Sequence, residues 1–257
     1  MAERRLAGDS SSPSAKINSL VFKEAGVPSL FFLRYENDYA ARRDIMFEQL
    51  EVKDVFPTPV WVADLGAGEA ESFNQHLKAL IYKLTEPRKE LAVGGNWQTD
   101  PRLHEREDFA PFCKKVKQVG KAALDFLQIS YDDFFISGCW ANINPKGAYN
   151  SSHMHPNNYL AGVYYVALPA EKGTIFFSDP RAQAQTMLPP AKQWNKYIGN
   201  EIRLDVKPGR FVLFPAWLVH SVPINPSEEH RISISFNLML SNYVENISKP
   251  LWKKGTA

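Results

Sequence analysis

"FFISGCWANIN", residues 134–144, opens the part of the chain whose residue grammar differs from everything before it. Aromatic and β-branched residues crowd into a short run, and the run ends at a turn signal, "NPKG", at 144–147. The same kind of unit recurs as "YLAGVYYVAL" (159–168), "GTIFFS" (173–178), "EIRLDV" (201–206), "RFVLFP" (210–215) and "RISISFNLML" (231–240). Between them stand "PAEKG", "KPG" and "NPSEE", each a turn former. Six short strands parted by turns predict an antiparallel sandwich or barrel. No internal repeat is visible.

Upstream the period changes. "TPVWVADL" (58–65) reads as one more strand. After it, Phe73, Leu77, Leu80, Ile81 and Leu84 recur at helical spacing and predict an amphipathic helix near 69–85. Phe109, Phe112, Val116, Val119, Ala123 and Phe126 predict a second, near 107–128. Helices followed by strands make the fold class α+β, mainly β, with the helices buttressing the sheets.

The remaining segments are less regular. Residues 1–17 are Ser-rich and charged, the composition of a disordered tail. Residues 18–55 combine apolar clusters broken by Gly26 and Pro28 with a weakly helical "YAARRDIMFEQL". They read as a lid, the arm of a homodimer or an outer layer, and the sequence leaves the three open. A domain over 56–242 and a C-terminal tail over 243–257 complete the division.

Composition bounds the function. The net charge of +2 gives no basic surface for nucleic acid or an anionic membrane. No run approaches the roughly 18 apolar residues of a membrane span. The opening "MAERRLAGDSSSPSAK" lacks the apolar core of a secretory signal. The two cysteines, Cys113 and Cys139, form no C-x-x-C and read as packing residues in a reducing, cytoplasmic setting.

Two of the six histidines, His153 and His155, fall one residue apart in "GAYNSSHMHPNN" (147–158). That segment is too polar to bury them. If it is extended, residues i and i+2 face the same side and the two imidazoles converge. A third histidine, His220, ends the apolar run in "PGRFVLFPAWLVHSVPIN" (208–225). Eleven positions on, Arg231 and Ser233 in "HRISISFN" share one face of a strand, and a guanidinium beside a hydroxyl makes a seat for a carboxylate. His76, His104 and His230 carry no such context.

Together, H-x-H, the later His and the R-x-S resemble the Fe(II)/2-oxoglutarate-dependent oxygenases, more closely the prolyl 4-hydroxylase-like branch and its putative bacterial 2OG-Fe(II) oxygenase members. The resemblance spans about 56–242 and rests on "WANINPKGAYNSSHMHPNNYLAGVYYVALP", "GTIFFSDPR", "PGRFVLFPAWLVHSV" and "HRISISFN". It implies a double-stranded β-helix (jelly roll, cupin-like) flanked by N-terminal helices. It further implies that Fe(II), 2-oxoglutarate and O2 serve to oxidise a small molecule, most simply by hydroxylation, with release of succinate and CO2.

By the same resemblance His153 and His220 match iron ligands, and Arg231 and Ser233 match the positions that hold the distal carboxylate of 2-oxoglutarate. The family's H-x-D/E carboxylate position is His155 here. His155 can itself be the third ligand. Alternatively Asp179, in "SDPR", supplies the carboxylate, or the position is open to water or an anion. Asn142 and Tyr165 are candidates for co-substrate contact, Trp140 and Arg181 for substrate contact. "GGNWQTDPRLHERED" (94–108) is a candidate substrate-side loop. Two other readings compete: a non-catalytic cupin-like metal- or sugar-binding module, and a three-His dioxygenase that does not use 2-oxoglutarate. The R-x-S argues against both.

Overall fold

The structure, a computed structural model, describes residues 50–86, 90–92 and 94–241. The chain divides into a unit of residues 1–53 and a unit of 54–257, and everything below concerns the second. The expected tails 1–17 and 243–257 lie outside the described residues, as does the extension up to residue 49.

In chain order the elements are β1 (Trp61–Asp64), α1 (Ala67–Leu84), β2 (Trp97–Gln98), α2 (Ala110–Phe126), β3 (Phe134–Asn144), β4 (Asn150–His153), β5 (Leu160–Ala167), β6 (Gly173–Ser178), β7 (Glu201–Val206), β8 (Arg210–Pro215), β9 (His220–Val222) and β10 (Arg231–Leu240). All seven strands expected from the sequence form, and both helices form within three residues of their expected ends. Phe126, counted in the apolar stripe of the second helix, is 67% exposed, so the buried face of α2 runs through Phe112, Val116, Gly120, Ala123 and Leu124 instead.

Two antiparallel sheets result, one in the order β1-β8-β5-β10-β3-β2 and one in the order β4-β9-β6-β7. Alternation along each strand divides the core in two. Leu160, Tyr164 and Val166 of β5, Phe211 and Leu213 of β8, and Ile232, Ile234 and Phe236 of β10 pack with Leu77 and Ile81 of α1 and Phe112 and Val116 of α2. The opposite parity, Ala161 and Tyr165 of β5 and Val212 and Phe214 of β8, packs on Ile175 and Phe177 of β6 and Val206 of β7. Helices therefore cover one face of the large sheet and the small sheet covers the other. This is the jelly-roll arrangement, and the domain is mostly β, as expected. Each fully buried Phe or Leu contributes roughly 1.5–3 kcal/mol by leaving water.

The helices are tied on by polar contacts as well. Tyr164 Oη donates to Asn74 Oδ1 at 2.6 Å, which explains a buried Asn on α1. Lys115 of α2 pairs with Glu69 of α1.

Gly162 of β5 marks the tightest approach in the core. A Cβ there would stand 2.5 Å from Phe236 Cζ and 3.1 Å from the Val212 carbonyl oxygen. Phe236 is fully buried and has nowhere to retreat. Gly162→Ala is expected to cost about 1–3 kcal/mol by overpacking, read in a thermal melt.

The edge strand β1 is fastened to β8 by Asp64, which accepts from Arg210 Nε at 2.7 Å and Nη2 at 2.8 Å, with Lys207 Nζ at 2.9 Å. The Arg210 bonds hold the Asp64 carboxyl down to about 2, against its ordinary 3.8, although partial burial opposes them. The folded value lies below the unfolded one, so the stabilisation is present above pH 3.8 and fades as pH falls toward 2. Because the pair is about a third exposed, Asp64→Asn is expected to cost only about 1 kcal/mol at pH 7. The gap between the two proteins' melting temperatures should close between pH 4 and pH 2.

Among the described residues no helix is long and apolar enough to cross a membrane. Cys139 is fully buried and Cys113 packs against the same cluster, consistent with packing roles.

Candidate metal centre and anion seat

The short strands β4 and β9 are antiparallel neighbours, and His153 is the direct cross-strand partner of His220. Pairing brings their imidazole centroids to 4.3 Å. His155 lies two residues beyond the end of β4. Its backbone N–H donates to the Ala216 carbonyl at 2.8 Å, which anchors the loop against the segment leading into β9. The His155 ring then stands 5.1 Å from His153 and 5.2 Å from His220, centroid to centroid. One ligand nitrogen from each of the three lies within 4.8 Å of the others, a spacing that could hold one metal ion.

Two of the three rings are held by their far nitrogen. His153 Nδ1 donates to the Ser151 carbonyl at 2.7 Å and His220 Nδ1 to the Leu218 carbonyl at 2.9 Å. A carbonyl only accepts, so the proton sits on Nδ1 and the Nε2 lone pair is left for a ligand. Burial pushes His220 and His155 each down to about 4 from the ordinary 6.5, with the neighbouring imidazoles adding to it. Near pH 7 these two are neutral, the form that binds metal.

The same pocket is lined by Trp140, Asn142, Tyr165, Arg231 and Ser233. β10 presents Arg231, Ser233 and Ser235 to it while Ile232, Ile234 and Phe236 face the helices. β3 does the same with Trp140 and Asn142 against Ala141 and Ile143. Arg231 is 7% exposed. Its Nη1 donates to the Pro223 carbonyl at 2.9 Å, and its Nη2 is buried with no partner. Desolvation lowers its pKa, the signature of a buried cation that no carboxylate compensates. The Tyr165 hydroxyl is likewise buried without a partner, and Ser233 is opposite Tyr165 in the β5–β10 register. Unpartnered donors around a buried guanidinium are what an anionic ligand would satisfy.

Of the other residues singled out from the sequence, Trp140 reaches the site, its ring 5.9 Å from His155. Asn142 is engaged on both sides: its Oδ1 accepts from Gln98 Nε2 at 2.8 Å and its Nδ2 donates to Ser235 Oγ at 3.1 Å. Asp179 and Arg181 are not brought to the pocket. Both Asp179 carboxylate oxygens accept from Arg181, from Nε at 3.0 Å and Nη2 at 2.8 Å, and the Arg181 backbone N–H adds a third bond. Gln98, Asn150 and Ser235 line the pocket and were not singled out individually. Ser235 continues the i, i+2 face of Arg231 and Ser233, so that alternation could have found it. Gln98 falls in the polar 94–108 segment expected on the substrate side. His104, in the same segment, is largely buried: its side chain is 19% exposed and its Nδ1 is buried without a partner.

The pocket of this jelly roll joins three clustered imidazoles, which could hold a metal ion, to a buried arginine suited to an organic anion. The family model described as "Putative 2OG-Fe(II) oxygenase" matches residues 138–237, a span from β3 to β10 that contains all three histidines, Arg231 and Ser233. Over that span the chain is similar to the 2OG-Fe(II) oxygenases, and its three clustered histidines could hold a metal ion.

The non-heme alpha ketoglutarate dependent epimerase SnoN from nogalamycin biosynthesis is similar at 14% identity and a TM-score of 0.52, over 72% of this chain and 79% of that one. The carbocyclase SnoK of the same biosynthesis is similar at 10% identity and a TM-score of 0.51, over 75% and 87%. A Pseudomonas putida prolyl-4-hydroxylase matches at 15% identity and a TM-score of 0.48, over 71% and 93%. At such identities these likenesses concern the fold. No curated protein matches the chain.

Proposed function

We propose that the protein oxidises a small molecule, most simply by hydroxylation, with His153, His155 and His220 as the iron ligands and Arg231 as the anchor of the distal carboxylate of 2-oxoglutarate. One observation carries this reading: a three-imidazole cluster and a buried guanidinium with an unpartnered Nη2 share a single pocket. When bound, iron and 2-oxoglutarate supply O2 activation coupled to decarboxylation of the oxoacid to succinate.

The chain's own residues bind and orient. The Ser151 and Leu218 carbonyls aim the Nε2 lone pairs of His153 and His220. Pro223 fixes the Arg231 fork through Nη1, leaving Nη2 for a carboxylate oxygen. Ser233 and the Tyr165 hydroxyl stand beside that seat as further donors. The bond to Gln98 and Ser235 holds the Asn142 amide in place between the seat and the pocket wall. Arg231, Ser233, Tyr165 and Asn142 are buried between the sheets, which strengthens each charge-assisted bond at the seat. Similar folds named as an epimerase and a carbocyclase are the reason hydroxylation is called only the simplest outcome.

Anaerobic addition of Fe(II) and 2-oxoglutarate is expected to produce the weak visible charge-transfer band of a chelated oxoacid, and His220→Ala to abolish it. A wild-type protein with neither band nor succinate release would favour a cupin-like binding module instead. O2 consumption independent of 2-oxoglutarate would favour a three-His dioxygenase.

A further inference from the structure

Among the described residues, the lining of the pocket that holds the three histidines has no Asp or Glu and one cationic side chain, Arg231. Asp179, the acid weighed from the sequence as a third ligand, is held by Arg181 away from the lining. The amides at the pocket wall, Gln98, Asn142 and Asn150, are neutral.

On the reading proposed above, Fe(II) adds two positive charges, 2-oxoglutarate two negative ones and Arg231 one positive. The three imidazoles add none, because a ring that gives its nitrogen lone pair to a metal is neutral. The loaded pocket is left with one positive charge in excess. It lies between two sheets, where such an excess is poorly screened. A carboxylate in place of any one imidazole would cancel it.

We propose that His155 makes this enzyme selective for anionic substrates, monocarboxylates in chemical class, by leaving the loaded site one negative charge short of neutrality. The substrate's own anion completes the charge balance that a protein carboxylate would otherwise supply. Asn150 offers a donor for it: its Oδ1 accepts from Asn144 Nδ2 at 3.3 Å, which turns the amide so that its NH2 is the group left for a ligand. Trp140, beside His155, offers the apolar wall for the substrate's hydrocarbon. One unbalanced charge at contact range in a partly buried site is worth about tenfold in affinity.

The test uses the full chain loaded anaerobically with Fe(II) and saturating 2-oxoglutarate in chloride-free buffer. Three probes of one size and different charge are titrated in: butyrate, butyramide and butylammonium. The readout is the shift of the charge-transfer band. Butyrate is expected to bind at least about tenfold more tightly than butyramide, and butylammonium most weakly. In His155→Asp, which restores neutrality, the butyrate preference is expected to shrink to within about threefold.

Equal binding of the three probes by the wild type overturns the proposal, as does the absence of any shift. An undiminished butyrate preference in His155→Asp overturns the role of His155. A butyrate effect that more 2-oxoglutarate reverses is displacement at Arg231 and also counts against it. If the loaded wild type shows no band at all, the iron and 2-oxoglutarate assignment fails first and takes this inference with it.

Discussion

Arg231→Ala is expected to raise the KM for 2-oxoglutarate by about 30- to 1000-fold while Fe(II) still binds. The guanidinium is buried, one of its arms is fixed on the Pro223 carbonyl, and the other has no partner in the protein. A carboxylate placed there forms a charge-assisted bond in a site with little water. Losing that bond costs about 2–4 kcal/mol, which is the fold-change above. The effect should fall on KM, because the seat is remote from the metal ligands in the bonding pattern and is occupied before the chemistry begins.

Stability offers a second readout. A buried, uncompensated cation destabilises the ligand-free protein, so removing it should leave the apoprotein's melting temperature nearly unchanged despite the lost Pro223 bond. What should vanish is the rise in melting temperature that 2-oxoglutarate gives the wild type. An unchanged KM together with an unchanged thermal shift would remove Arg231 from the site.

How much of this was legible in the sequence depends on the length of the element concerned. β3, β5, β8 and β10 are long enough for alternation to declare them, and the strand reading of "RISISFN" placed Arg231 and Ser233 on one face before any coordinates. α1 and α2 declare themselves by apolar spacing. The strands that bring the histidines together do not. β4 is four polar residues and β9 is three, too short to show a period; they form because they pair with each other, and β9 also pairs with β6. The histidine cluster could therefore be suspected from H-x-H and a later His, but its cause, the His153–His220 cross-strand pair, is a tertiary fact. The same holds for His155, whose segment beyond β4 is pinned by its backbone bond to the Ala216 carbonyl. Nothing in "SDPR" distinguishes a locally paired Asp from one aimed at a metal. Only the distances separate them.

His155→Ala is expected to weaken Fe(II) binding by a hundredfold or more, because one of three protein ligands is lost and the remaining pair cannot complete a face. The motivation is geometric: His155 is the one ring of the three whose side chain is not held by a nearby carbonyl bond, and it still lies 5.1 and 5.2 Å from the other two. Packing alone does not explain that approach, since the ring stands beside Trp140 at the lining of a pocket and not in either apolar cluster. His155→Asp should retain iron, since a carboxylate can occupy the same position and adds a charge that favours a divalent cation. Asp179→Asn should leave the metal nearly untouched, because its carboxylate is engaged by Arg181. An anaerobic Fe(II) titration of the three variants decides the matter. Iron kept in His155→Ala but lost in Asp179→Asn would mean that the Asp179–Arg181 pair opens to supply the third ligand. His155 would then face the substrate, and the excess positive charge inferred for the loaded pocket would not exist.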